Sequence, residues 1–182
     1  MCDKLNIFLI GPMGSGKSSV GKRLAKELGL QFFDSDAEVE QRTGVDISYI
    51  FEKEGENGFR TREKNIIAEF VQKKGLVLAT GGGSIMDEEN RQKLSKNGTV
   101  VYLKTSVDQQ LKRTKDTHTR PLLAHKPPKE ILEHLRTIRE PLYEEIADIF
   151  DLDITVMTNG CKNFIEIWNS SFFNKYRKNL FH

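Results

Sequence analysis

Two cysteines, Cys2 and Cys161, are too few for a disulfide scaffold or a zinc cluster, and a reduced, cytoplasmic protein with two incidental thiols is expected. No apolar run approaches the ~20 residues of a membrane span. An excess of one charge is missing too: 28 basic residues face 26 acidic ones, a net charge of +2. That near balance gives no reason to expect nucleic acid or an anionic membrane as the main partner. His118, His125, His134 and His182 have no ligand-like spacing and read as surface residues. Internal repeats and low-complexity tracts are absent, and no N-K-x-D motif supports guanine specificity. Met1-Cys2-Asp3-Lys4 leads straight into an apolar run, so no signal peptide is expected.

What is present starts with GPMGSGKS, Gly11 to Ser18, which fits the phosphate-loop pattern G-x-x-x-x-G-K-[S/T]. The run Leu5-Asn6-Ile7-Phe8-Leu9-Ile10 before it reads as a strand, and Val20, Leu24 and Leu28 after it recur at helical spacing. In that context the glycines let backbone N–H groups form an anion nest at a helix start. Lys17 is expected to reach the β- and γ-phosphates, and the Ser18 hydroxyl to ligate Mg²⁺. Gly14, Ser15, Gly16, Lys17, Ser18 and Ser19 are the candidate ATP contacts.

The rest of the chain alternates strand and helix patterns. Strands are expected at 31–34, 76–79, 99–103 and 153–158. Helices are expected at 37–42, 47–53, 59–73, 87–97 and 106–114, at 128–149 with a break near Pro141, and from Asn163 onward. Such alternation predicts a parallel sheet covered by helices on both faces, with ligands outside the carboxyl ends of the strands. Three polar clusters follow strands directly and would converge there: the phosphate loop, Asp34-Ser35-Asp36 and Gly81-Gly82-Gly83.

Two carboxylates beside a phosphate site call for divergent jobs, one holding the water shell of Mg²⁺ and the other taking the proton of an acceptor hydroxyl. The plainer alternative is that Asp36 caps the next helix. Arg60 lies on the helix face of Ile67 and in a first turn, where the dipole disfavours a cation. A nearby anionic ligand or a pair with Glu63 would each account for it. The glycine triplet permits close backbone approach to a ligand. Arg113, Arg120 and Arg139 lie beside or within the aperiodic stretch 115–126, which reads as a lid or as a solvated basic loop. In the first reading Arg120 closes on the γ-phosphate.

These residues carry a family resemblance. GPMGSGKSS, FFDSD, EGENGFRTRE, LATGGGS, RTKDTHTRPLL and REPLYEEIAD, in order from Asn6 to Asp148, resemble the shikimate kinases. The resemblance implies a nucleoside-monophosphate-kinase-like phosphate-loop fold with a five-stranded parallel sheet and a mobile lid. The 182 residues would be one domain, with a substrate-binding region at 34–61, a lid at 113–126 and a divergent strand and helix at 150–182. It implies transfer of the ATP γ-phosphoryl group to the 3-hydroxyl of shikimate, with Asp36, Lys17 and Arg120 catalytic. Arg60 and Arg139 would hold the shikimate carboxylate, and Gly81, Gly82 and Gly83 would lie against the substrate. Asp34 would support Mg²⁺ through water beside Ser18, and Arg113 would lie against adenine. A monomer is expected.

Alternatives within the fold are a gluconate-type or nucleotide kinase. A carboxylate acceptor suits the two arginines better than a nucleobase, because no aromatic side chain is expected to line that site. A non-catalytic ATP-binding switch is the alternative of another class; it needs Lys17 and Ser18 but has no use for Asp36. After about Ile149 the chain departs from the family pattern, and Asn159-Gly160-Cys161-Lys162 offers no proline or arginine to stack on adenine. Phe164, Trp168, Phe172 and Tyr176 form one helical stripe, expected to pack on the body.

Overall fold

The computed structural model describes residues 6–114 and 127–149. Four short strands form one parallel sheet: β1 (Ile7–Ile10), β2 (Gln31–Asp34), β3 (Leu76–Ala79) and β4 (Thr99–Tyr102), in the order β2-β3-β1-β4. Ile7 pairs with Val77 on one side and Thr99 on the other, so β1 is central. The five-stranded expectation is corrected to four among the described residues. The anticipated strand at 153–158 and the aromatic stripe beyond it lie outside them. Ile149 makes an isolated parallel bridge to Val101, on the outer edge of β4.

Side chains along a strand alternate between faces, and the core follows that period. Ile7, Leu9, Val77 and Val101 point to one face and pack with Val20, Leu24 and Ala25 of α1 (Lys17–Leu28). Phe8, Ile10, Leu78, Val100 and Tyr102 point to the other face. There they meet Val39 of α2 (Ser35–Thr43), Phe59, Ile66, Ile67 and Phe70 of α3 (Ile47–Phe70), Leu94 of α4 (Glu88–Asn97), and Tyr143 and Ile146 of α6 (Pro128–Ile146). A parallel sheet buried on both faces needs such uninterrupted apolar strands, and every residue of β1, β3 and β4 is buried.

Three expectations about helices are revised. Helix α2 begins two residues earlier than expected, because Asp34 and not Asp36 is its cap, accepting from the backbone N–H groups of Asp36 (3.1 Å) and Ala37 (3.4 Å). The expected helices at 47–53 and 59–73 join into α3, broken only at Gly55 (φ 71°, ψ −175°), a conformation that glycine adopts at little steric cost. Arg60 therefore stands five residues beyond that break, past the end of the first turn. Helix α6 runs through Pro141 without interruption. The carbonyl that Pro141 cannot serve is that of Thr137, an exposed residue where water can substitute. Buried Arg139, Tyr143 and Ile146 anchor the helix on both sides of the proline. A short helix α5 (Val107–Thr114) packs against α6.

Candidate active site

The site occupies the carboxyl ends of β1, β2 and β3. The loop between β1 and α1 takes φ 140° at Gly11, 72° at Gly14 and 87° at Gly16, values closed to most side-chain-bearing residues. Lys17 Nζ folds over this loop and donates to Gly11 O (2.7 Å), Pro12 O (2.9 Å) and Ser15 Oγ (3.3 Å). A phosphate entering the loop would compete with these oxygens for the ammonium. Ser18 Oγ donates to Asp34 Oδ2 at 2.5 Å. Asp34 thus serves two purposes, one carboxylate oxygen capping α2 and the other reaching the first turn of α1. A hydroxyl and a carboxylate side by side are the hard oxygen donors that Mg²⁺ accepts, directly or through water.

A cleft of about 300 Å³ is lined by Gly14, Gly16, Lys17, Ser18, Ser19, Asp34, Asp36, Thr80, Gly82 and Arg113, with Met13. It joins the phosphate loop to Asp36, so the predicted phosphate and acceptor groups share one space. Arg113 Nη1 donates to Gly14 O at 3.0 Å, which seats this arginine on the phosphate loop itself. Arg120 lies outside the described residues.

The glycine triplet has a more specific purpose than the sequence suggested. A β-carbon on Gly81 would collide with Glu63 Oε1 and lie 2.7 Å from Asp36 Oδ1; one on Gly83 would collide with the Arg60 guanidinium. One on Gly82 would stand 3.3 Å from Gly11 O and Met13 N, against the phosphate loop. Each missing side chain thus makes room for a different part of the site. Two hydrogen bonds hold the triplet: Gly81 N–H donates to Ser35 Oγ (2.8 Å), and Tyr143 Oη donates to Gly82 O (2.5 Å).

Arg60 donates through Nη1 to Glu63 Oε2 (2.6 Å) and through Nε and Nη2 to Glu56 Oε1 (3.1 and 2.9 Å). Burial works against its charge, but Glu63 and Glu56 outweigh that and hold the guanidinium above its ordinary value. Arg139 is buried at 7% exposure. Its proton affinity is lowered, first by burial and further by the like charge of Arg60, with Tyr143, Glu56 and Glu63 opposing. Two guanidiniums that feel each other's charge, one buried and one half-buried, repel unless anions join them. Phe59, which Arg60 overlies at 5.1 Å, and Tyr143 are aromatic neighbours that the sequence does not lead one to expect here. Both are core residues at 4% and 2% exposure, so they back the arginines and present no open stacking platform.

Glu63 enters from the sequence only as an alternative partner for Arg60. It is fully buried, and its Oε1 has no hydrogen-bond partner among the described residues. Burial pushes its carboxyl up to about 7; Arg60 opposes that and Asp36 adds to it. Its i+3 spacing from Arg60 is visible in the sequence, but the same spacing marks ordinary solvent pairs. Tyr143, four residues after Arg139, carries a similarly unspecific signal.

With this geometry in hand, the comparisons with known proteins discriminate. The family model described as shikimate kinase matches residues 13–166. Shikimate kinase 1 of Yersinia pestis is 51% identical over 171 residues, covering 91% of this chain and 99% of the relative.

The chain belongs to the shikimate kinase family.

Membership makes it an ATP-dependent phosphotransferase, and at this identity neither a gluconate-type or nucleotide kinase nor a non-catalytic switch is favoured. A shikimate kinase from Acinetobacter baumannii in complex with shikimate superimposes with a TM-score of 0.80 at 51% identity, over 81% of this chain and 83% of that one. A deoxyadenosine kinase from M. mycoides is similar at a TM-score of 0.57 and 17% identity, covering 89% of this chain and 99% of that one, which reflects the shared nucleotide-kinase fold alone. For a shikimate kinase, the polar exits of β1, β2 and β3 meet where a phosphoryl donor and a small acid are to be joined.

Proposed function

We propose that this chain, acting as a single domain and a monomer in the cytoplasm, transfers the γ-phosphoryl group of ATP to the 3-hydroxyl of shikimate, giving shikimate 3-phosphate and ADP. The observation that carries the reading is the position of Asp36. Its carboxylate borders the cleft of the phosphate loop, and it also meets Glu63, the partner of Arg60, over Gly81.

In this reading Gly14, Ser15, Gly16 and Ser19 cradle the phosphates with Lys17, which leaves its loop oxygens for the β- and γ-phosphates. Ser18, with Asp34 through water, holds Mg²⁺, which supplies charge neutralisation at the phosphate oxygens. Among the described residues no cluster of three or more acidic, His or Cys side chains forms a metal cage. A cation carried largely by nucleotide phosphates needs only one or two protein oxygens. Arg60 and Arg139 grip the shikimate carboxylate; planar guanidinium forks match a planar carboxylate better than ammonium groups do. Gly81, Gly82 and Gly83 let the ring approach the backbone. Asp36 then faces the acceptor alcohol and takes its proton as the phosphoryl group transfers. Arg120 stabilises the charge developing on that group. Arg113, bonded to the phosphate loop, acts on the nucleotide side.

A coupled ADP-release assay with shikimate, gluconate and AMP as alternative acceptors tests the reading. Turnover is expected with shikimate, dependent on added Mg²⁺. Turnover with gluconate or AMP and none with shikimate would overturn it.

A further inference from the structure

Among the described residues, two carboxyl groups accompany the two arginines before any substrate arrives. Arg60 and Arg139 are the cations there, and the carboxyl groups of Glu63 of α3 and Asp36 of α2 face them, Glu63 poised at about 7 between its charged and neutral forms. Glu56, the other anion on Arg60, has 48% of its side chain exposed and is screened by water. Tyr143 of α6 contributes a neutral hydroxyl, bonded to Gly82 O. Adding the substrate carboxylate brings a further carboxyl group to two guanidiniums beside the fully buried Glu63. Burying an uncompensated charge is costly, and a titratable group answers by neutralising.

Glu63 is the group placed to answer. One of its oxygens depends on Arg60, the residue the substrate carboxylate must engage. The other, Oε1, is buried without a hydrogen-bond partner among the described residues and faces the same side of Gly81 as Asp36 Oδ1. A proton on Oε1 would place a donor in the space beside Gly81 that two acceptor oxygens now flank.

We propose that shikimate binding is coupled to proton uptake at Glu63: the substrate carboxylate draws Arg60 away from it, and Glu63 becomes a neutral carboxylic acid. The inference rests on the reading that Arg60 and Arg139 hold that carboxylate. The proton comes from solvent and goes to Glu63 Oε1; no other bond is made or broken. Glu63 is a positioning residue here, since it touches Arg60 and not the reacting atoms. Its ionisation sets how tightly Arg60 is held before substrate arrives. Near-neutral proton affinity in the unliganded protein suits the exchange, because little is then needed to tip it.

Calorimetric titration of the full-length protein with shikimate, in buffers of different ionisation enthalpy, tests this. At pH 7.5 the wild type is expected to take up about three-quarters of a proton per shikimate bound, and its affinity to fall about five-fold from pH 7 to pH 8. Glu63→Gln is expected to bind without uptake and with a flat pH dependence. Shikimate methyl ester, which lacks the anion, is expected to bind the wild type without uptake. Tight binding with no uptake by the wild type overturns the inference and leaves the proposed function standing. Failure of shikimate to bind overturns both. Uptake that persists in Glu63→Gln assigns the proton elsewhere and also overturns it. Carbon-13 spectra of wild-type protein labelled at the glutamate carboxyls follow the same proton without a substitution. One buried carboxyl is expected to move to the protonated position on adding shikimate, and an unmoved spectrum counts against the proposal.

Discussion

The carboxylates of Glu63 and Asp36 meet over the α-carbon of Gly81, in the space where a side chain would otherwise stand. One belongs to the middle of α3 and the other to the first turn of α2. The pair exists because Gly81, two residues beyond the end of β3, has no β-carbon. This relation ties the acceptor side of the site to its arginines.

Gly81→Ala is therefore expected to damage the acceptor side and spare the nucleotide side. The new methyl must displace Glu63, Asp36 or the β3 exit, and overpacking of this kind costs about 1–3 kcal/mol. Steady-state kinetics should show a rise of at least about ten-fold in KM for shikimate, while nucleotide affinity by fluorescence titration changes little.

Asp36→Asn keeps the shape of the acceptor pocket and removes the base. A fall in kcat of about 10²–10⁴-fold is expected, the usual range for a general base. Because Asp34, not Asp36, caps α2, the variant should keep its helix. An unchanged turnover rate would point to another base.

Arg60→Ala is expected to weaken shikimate binding by about 100-fold, since charge-assisted hydrogen bonds contribute about 1.5–3 kcal/mol each, with little change for ATP. It also leaves Glu63 buried without its cation, a change that costs about 3–5 kcal/mol while Glu63 stays ionised. The loss of stability in urea unfolding should accordingly be larger at pH 8 than at pH 5. Equal losses at both would show that Glu63 is not the group left behind.

The acid–base balance of folding offers an independent check on Glu63. Its folded carboxyl titrates at about 7, above the ordinary 4.5, so the folded state binds this proton more tightly than the unfolded one. The stability it contributes is complete below about pH 4.5 and is lost as pH rises through 7. Between pH 5 and pH 8, Glu63→Gln should gain on the wild type by up to about 3 kcal/mol in unliganded protein. A constant difference across that range would place the titration elsewhere. Opposite in sign is Glu69, held down at about 2 by hydrogen bonds from Arg42 and Lys73. It is largely exposed, and water screens most of its effect.

The phosphate loop, the strand–helix alternation and the three strand exits were legible from the sequence because they depend on neighbours along the chain. Turn glycines, apolar periods and helix starts act within one element, and β1, α1 and the loop between them need little else. Which aspartate caps α2 was not legible: Asp34 and Asp36 stand two residues apart, and the bonds to Ser18 and to the helix start decide between them. The continuity of α6 through Pro141 was likewise set by what buries Arg139 and Tyr143 on either side. The sequence left Arg60 between an anion and Glu63, the family resemblance alone joined Arg139 to it, and only the tertiary structure revealed that Glu63 is buried beside them. Burial and charge balance are properties of where α2, α3, α6 and β3 converge, and no spacing along one strand or helix encodes how much water that convergence leaves.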